Sequence, residues 1–290
     1  MMAFKKLAAP KIPAGYVAGA PIRPNLGLER EYRRKLLELV DEMYASVTWW
    51  IGAEYRRQLP RIMEYDGKAK DASPAADLMK ALRRRLRQWQ RRFDEKSDML
   101  AEWFARQAEK SASAAVAASV AGATGHTVAG IAVEFQMTRA MNNALASIIF
   151  ENTSLIRSLP QKAFLEIEGL VMRGARTGYD AGRLTEELQK RFGVTRRRAE
   201  FISRDQMNKA TEALSRVRMQ ELGIAEAVWI HSGTPKQPRP THLKFNGQPF
   251  ELDKGLYDAD AHRYVQPGEL PNCYCTKRPL IPAYEKRRGA

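Results

Sequence analysis

The stretch Glu221-Leu-Gly223-Ile-Ala-Glu-Ala227-Val-Trp229-Ile-His231-Ser232 is where the pattern of the chain changes. Up to Leu222, large apolar residues return every three or four positions, the spacing of a helix with one buried face. Gly223 suits the residue that closes such a helix, because glycine enters the left-handed region without a steric penalty. Beyond it, Ala227–Ser232 reads as a short strand. Further on, Asn246-Gly247 lies between Leu243-Lys-Phe245 and Pro249-Phe250, which is a hairpin signal. The expected fold is therefore a mainly α N-terminal part followed by an α+β C-terminal domain, helices first and then a small antiparallel sheet.

Working back from this point, helices are expected over about 195–222, 184–192 and 160–176, separated by Gly178, Gly182 and Gly193. Asn152 to Leu159 reads as a linker, with Pro160 in the first turn of the next helix. Earlier still, a helix covers about 133–150, after a small-residue hairpin turning near Gly122–Gly125. Leu78, Leu82, Leu86, Trp89, Phe93, Leu100 and Phe104 mark a long helix that starts after Asp71-Ala-Ser-Pro74. Tyr32, Leu36, Leu39, Val40, Met43, Val47, Trp50 and Ile51 mark another, ended or kinked near Pro60. Pro10, Pro13, Pro21 and Pro24 make residues 1–25 an extended arm. The organisation is then an arm at 1–25, a helical domain at 26–151, a C-terminal domain at 152–282 and a basic tail at 283–290.

The 290 residues carry a formal net charge of +15, with 28% charged residues and 44% hydrophobic ones. Such an excess of cations favours a polyanionic neighbour and says nothing about fold. Three runs carry it. Arg83, Arg84, Arg85, Arg87, Arg91 and Arg92 surround one helix with Trp89 interleaved; Arg196, Arg197 and Arg198 lie on a later one; Lys286-Arg287-Arg288 closes the chain. The first nine arginines are the candidate nucleic-acid-binding residues. They would neutralise phosphates without reading bases, so binding would be salt-sensitive and indifferent to sequence.

Ser111 to Val133 contains no Lys, Arg, Asp or Glu and has the length of a membrane span. Its Ala, Ser, Gly and Thr content instead fits a tightly packed hairpin, and membrane is not an expected partner. The prolines of the arm also argue against a secretory signal.

Both cysteines and three of the four histidines fall in the last sixty residues. Cys273 and Cys275 are too close for an unstrained disulfide, which leaves free thiols or metal ligation. A zinc ion needs four N, S or O ligands. Cys273, Cys275 and His242 could supply three, and His262, His231 or Asp260 the fourth; His262 completes the candidate set. The bland alternative is two half-buried thiols and hydrogen-bonded histidines in a small sheet. No cofactor other than possible zinc is implied. A catalytic residue cannot be named, since no base or third group stands at a defined spacing from either thiol, and the chain is not expected to be an enzyme. A metal- or thiol-dependent hydrolase or nuclease in the His/Cys cluster is the alternative, and a membrane-interacting ejection protein using Ser111–Val133 is another.

The C-terminal half resembles the phage Mu F-like minor head protein family, the phage head morphogenesis domain. The likeness runs through Leu155-Ile-Arg-Ser-Leu-Pro160, Arg198-Ala-Glu-Phe-Ile202-Ser-Arg204-Asp-Gln-Met-Asn208, Trp229, Arg239-Pro-Thr-His242, Asn246-Gly247, Phe250, Pro267-Gly-Glu269 and Asn272-Cys273-Tyr-Cys275. The chain departs from the family pattern at Lys236, where an acidic residue is usual, and at Tyr274, where arginine is usual. The resemblance implies a minor capsid component at the portal vertex of a tailed phage, acting in head assembly, DNA packaging or genome delivery. Its partners would be the portal protein, the major capsid or scaffold protein, and packaged double-stranded DNA. It would reside in the virion head interior or at the portal vertex, and in the host cytoplasm during assembly. Within the domain, Arg204, Asn208, Trp229 and Arg239 are expected to have structural roles.

Overall fold

The computed structural model describes residues 12–64, 74–124, 135–177, 180–233 and 238–283. Four long helices come first: α1 (Leu26–Glu64), α2 (Pro74–Thr124), α3 (Arg139–Thr177) and α4 (Ala181–Glu221). A short strand, β1 (Tyr16–Ala18), precedes them. After them come β2 (Glu226–Ile230), α5 (Pro240–Phe245), β3 (Pro249–Glu251), β4 (Leu256–Asp258), β5 (Arg263–Val265) and β6 (Thr276–Pro282). The expected order of long helices followed by a small antiparallel sheet is what the chain adopts. The basic tail at 286–288, the loop before Pro74, Lys236, Gly178 and the turn at Gly125 lie outside the described residues.

The chain divides into two compact units, each built from non-contiguous pieces. One comprises Arg30–Trp103 and Ile149–Ser203. Apart from Asp180 it is helical in its described residues, and its core is the set of apolar positions that the helical spacing picks out. Tyr32, Leu36, Met43, Ile51, Leu82 and Phe93 are buried on α1 and α2, and Ile156, Ile167, Leu184 and Ile202 on α3 and α4.

Two sequence expectations fail in this unit. Asn152–Leu159 is not a linker but lies inside α3, and Pro160 sits mid-helix. The polar residues that look loop-like are buried instead: Tyr32 donates its hydroxyl to Asn152 Oδ1 at 2.8 Å, and Thr153 Oγ1 donates to Asp98 Oδ1 at 3.2 Å. Polar groups satisfied by side chains on other helices can sit in a helix interior. Likewise α4 runs through Gly193. Helix α1 ends at Glu64, four residues past Pro60 and near where that proline is expected to end or kink it. Packing of a long buried face outweighs the local cost of a glycine or proline.

The other unit comprises Met1–Glu29, Phe104–Ile148 and Arg204–Ala290. Its sheet has the order β1-β6-β2-β3, with every pairing antiparallel. The described part of the N-terminal arm is therefore not loose. Tyr16, Val17 and Ala18 pair with Pro282, Ile281 and Leu280 on β6, and Ile22 bridges to Lys277. Strands β4 and β5 form a separate two-stranded ribbon. The chain reaches it through Gly255, at φ +79, where a side chain would collide with the Val265 carbonyl. The hydrophobic core gathers Ile22, Val116, Met219, Ile224, Trp229, Phe245, Phe250, Leu252, Val265 and both cysteines.

Gly223 closes α4 at φ +73, as its place after the last apolar repeat predicts. The Asn246-Gly247 turn has a different setting from the one expected. Leu243–Phe245 belongs to the short helix α5, which Pro240 starts, so the turn joins a helix to β3 rather than two strands. Gly247, at φ +81, donates its N–H to the Trp229 carbonyl at 2.8 Å, and Asn246 Oδ1 accepts the His231 N–H at 2.9 Å. The turn thereby seats β3 against β2, with Ala227 opposite Phe250.

Buried charge also holds this unit together. Arg218 is 1% exposed. It donates to Glu109 at 2.6 Å, Glu221 at 2.7 Å, Ser113 at 2.8 Å and the Gln136 carbonyl at 2.9 Å. The Phe135 ring lies 4.7 Å from its guanidinium carbon. Lys277, also buried, donates to the Glu212 carbonyl at 2.8 Å and carboxylate at 3.1 Å. Burial pulls its ammonium below the usual lysine range, although Glu212 opposes the shift.

Candidate metal centre

Helix α5 and the loop before β6 bring three of the sequence-picked residues together. Pro240 fixes the start of α5, which places His242 and Phe245, three positions apart, on its buried face. In the loop, Asn272 takes a left-handed conformation at φ 58, so the chain doubles back into Cys273. The result is a buried group of His242, Cys273 and Cys275 whose ligand atoms all lie within 4.8 Å of one another. His242 Nδ1 is 3.3 Å from Cys273 Sγ and 3.6 Å from Cys275 Sγ. The corners of a zinc tetrahedron with one nitrogen and one sulfur are separated by roughly 3.6 Å, given the usual bond lengths. The donors already stand close to that spacing, so the group could bind a metal.

Three surrounding contacts favour the metal-binding forms. His242 Nε2 faces Asp258 Oδ2 at 3.1 Å. Burial alone would raise the Asp258 carboxyl, but the backbone N–H groups of Ala261 and Asp260 and the Thr241 hydroxyl hold it below the usual range. An ionised Asp258 accepts the Nε2 proton and leaves the Nδ1 lone pair directed at the sulfurs, as outer carboxylates do for metal-bound histidines. Gly268, which sits at φ +93, donates its N–H to Cys273 Sγ at 3.3 Å. The fully buried Trp229 indole N–H lies near Cys275 and favours its ionised form.

The two thiols ionise unequally. Hydrogen bonding from Cys275 draws Cys273 down to about 4, against the opposing effect of burial. The adjacent Cys273 thiolate and burial push Cys275 upward. Without a metal the pair thus holds one thiolate and one thiol; a divalent cation would favour loss of the second proton.

The other proposed ligands fall elsewhere. His262 does not complete the set: it is exposed, at φ 53 on the turn between β4 and β5. Asp260 is exposed as well. His231 is buried near the group, and desolvation lowers its pKa, so it is neutral at pH 7. Its Nδ1 accepts the Gly233 N–H at 3.0 Å. Asp258 is the residue that sequence reasoning passes over, because it reads as part of a polar stretch. The one available signal is its place two and three residues before backbone N–H groups that it caps.

Arg204, Asn208, Trp229 and Arg239 surround the cysteine loop. Asn208 Nδ2 donates to the Cys273 carbonyl at 2.9 Å, Arg239 Nη2 to the Pro271 carbonyl at 2.9 Å, and Arg204 Nη2 to Asn272 Oδ1 at 3.3 Å. Asp205, unremarked in the sequence, accepts the Asn272 N–H at 3.0 Å. Trp229 packs edge-on to His242, Phe245 and Phe250, with ring centroids 5.2, 5.0 and 5.9 Å away.

The basic residues divide into two groups. Arg83 pairs with Glu168 and Arg92 with Glu42; Arg85 donates to Ser46, Arg196 pairs with Asp41 and Arg198 donates to Ser158. Arg84, Arg87, Arg91 and Arg197 are exposed and have no ion pair with a described carboxylate. Arg84, Arg87 and Arg91, at three- and four-residue spacing, share one face of α2.

Fold and centre together define a protein of long helices finished by a small α+β module with a buried imidazole–dithiol cluster. Residues 165–278 match the family model described as Phage Mu protein F like protein. A Haemophilus influenzae protein described as uncharacterized is 30% identical over 130 residues, which make up 45% of this chain and 28% of that protein. The match therefore spans little more than a quarter of that relative's length. No solved structure matches the chain. No described helix is long and apolar enough to cross a membrane.

Proposed function

We propose that the chain is a minor head component of a tailed phage, held at the portal, whose C-terminal module is clasped by zinc. The observation that carries this reading is the Mu F-like match over residues 165–278, which contains His242, Cys273 and Cys275. Two thiols and an imidazole suit zinc better than magnesium or calcium, which prefer oxygen. The partners would be the portal protein, the major capsid or scaffold protein, and packaged double-stranded DNA. The site of action would be the head interior or portal vertex, after assembly in the host cytoplasm. Zinc would join α5 to the loop that leads into β6, an architectural role rather than a catalytic one.

The experiment is co-purification of the chain with portal-bearing heads, with elemental analysis of the same protein. About one zinc per chain and retention with the portal are expected. Heads that lack the chain would remove the capsid reading, and metal-free folded protein would remove the zinc.

DNA contact rests on the unpaired cations of α2. Each phosphate contact adds about 0.9 to the slope of log affinity against log salt. Combining Arg84→Ala, Arg87→Ala and Arg91→Ala is therefore expected to reduce that slope by roughly 2 to 3, equally for unrelated DNA sequences. Arg83→Ala, which removes a cation paired with Glu168, should change it much less. Filter binding across a salt series measures both.

A further inference from the structure

Wholly within the unit that carries the sheet, the described residues surround a cavity of about 370 Å³. Pockets that hold ligands begin at about 300 Å³, so there is room for one or two large side chains. The walls are largely apolar. Pro24 and Leu26 come from the N-terminal segment, Met207 from α4, Ile230 from the end of β2, and the Tyr274 ring from between the cysteines. Leu26 is 62% exposed, so apolar surface continues past the mouth onto the rim.

The polar groups on these walls are biased towards donors. Arg23 is exposed, on backbone fixed by the Ile22 N–H bond to the Lys277 carbonyl at 2.9 Å. Arg204 lies over the Tyr274 ring, its guanidinium carbon 5.7 Å from the centroid, and donates to Asn272. Neither arginine pairs with a described carboxylate, and Glu29 is the one acidic side chain among the described lining residues. His231 lines the same cavity and is 5% exposed. Its Nδ1 accepts the Gly233 N–H, which puts the ring proton on Nε2. No described group accepts a hydrogen bond from Nε2. Buried donors are ordinarily satisfied, and an acceptor placed in the cavity would satisfy this one.

We propose that the cavity is a docking site for an acidic peptide segment of a partner protein. The segment would bury a large apolar side chain among Met207, Ile230 and Tyr274, and set a carboxylate against Arg23, Arg204 and His231. A peptide covers Leu26 as it leaves the cavity, which a small ligand held inside does not. Duplex DNA suits the site poorly, since its phosphates gain nothing from apolar walls. Of the stretches outside the described residues, 1–11 and 234–237 contain no Asp or Glu, so neither supplies the carboxylate. The inference stands apart from the zinc and capsid readings, and its failure would leave both as they are.

The test selects peptides from a random dodecapeptide library against the full chain, then follows the fluorescence anisotropy of the leading peptide labelled with fluorescein. The expected consensus is an aspartate or glutamate beside a phenylalanine, tryptophan, leucine or methionine. Replacing that acid by its amide should weaken binding roughly tenfold, the usual effect of losing a charge-assisted hydrogen bond. Arg23→Glu should weaken the acidic peptide to a similar extent and leave the amide form nearly unaffected. Leu26→Ser should weaken both several-fold. Both positions are exposed, so neither change threatens the fold. Combining Arg84→Ala, Arg87→Ala and Arg91→Ala on the other unit should leave peptide binding as it is. If no such consensus emerges, if Arg23→Glu binds the acidic peptide as the parent does, or if the α2 variant loses binding, the docking site is refuted. If phenylacetate displaces the peptide at equal concentration, the cavity takes a small carboxylate and the partner inference falls. Displacement by duplex DNA in the α2 variant would overturn it in favour of nucleic acid.

Discussion

Replacing Trp229 by alanine is expected to destabilise the chain by about 3–5 kcal/mol, the range for deleting a fully buried tryptophan. The side chain is 0% exposed and touches the rings of His242, Phe245 and Phe250. Its loss opens a void that β2, paired on both sides, cannot close by shifting. Trp229→Phe keeps part of the ring contact and should cost roughly half as much. Urea unfolding followed by far-ultraviolet dichroism measures the difference. An alanine variant within about 1 kcal/mol of the parent would mean that the centre is not packed around this ring. Because Trp229 also lies against His242, the alanine variant should hold zinc more weakly, which a competitive chelator would reveal.

A second large effect is expected at Arg218. Removing one partner of a buried ion pair typically costs about 3–5 kcal/mol, since the remaining charge is left in a poor solvent. Arg218→Ala strands two carboxylates, Glu109 and Glu221, together with the Ser113 hydroxyl and the Gln136 carbonyl. Combining Arg218→Met with Glu109→Gln and Glu221→Gln removes the charges together and should recover much of the loss. That recovery would show the penalty to be uncompensated charge rather than lost volume. If Arg218→Ala and the triple variant unfold alike, the network contributes by packing alone.

The sequence is informative about the fold class because the change in period after Gly223 is local, and so is the glycine that closes α4. It misleads where a residue's role is set from far away. Asn152 looks like a loop residue until Tyr32, 120 positions earlier, is seen to satisfy it. Arg218 looks like one more solvated cation, and nothing near it in sequence announces Glu109. The centre divides in the same way. His242, Cys273 and Cys275 stand out because such residues are scarce, and composition alone points to them. Asp258 does not, since carboxylates are common and only the folded register brings it to His242 Nε2. His262 is misjudged for the opposite reason: scarcity draws attention to a side chain that the β4–β5 turn directs outward. The arginine runs were legible as charge, but their division into paired and unpaired members depends on partners such as Glu42 and Glu168 on other helices.

The pairing of β1 with β6 has a consequence for biosynthesis. Residues 16–18 are made long before residues 280–282, yet they are neighbours in one sheet. Between β1 and β2 lies β6, so the sheet stays incomplete until residues 276–282 have been made. An early strand must wait, unpaired, through the synthesis of four long helices. Expression of residues 165–278 by themselves would leave out that strand, along with Val116 of the core. Deleting residues 16–18 should therefore harm the segment that carries the cysteines more than the helices that follow directly.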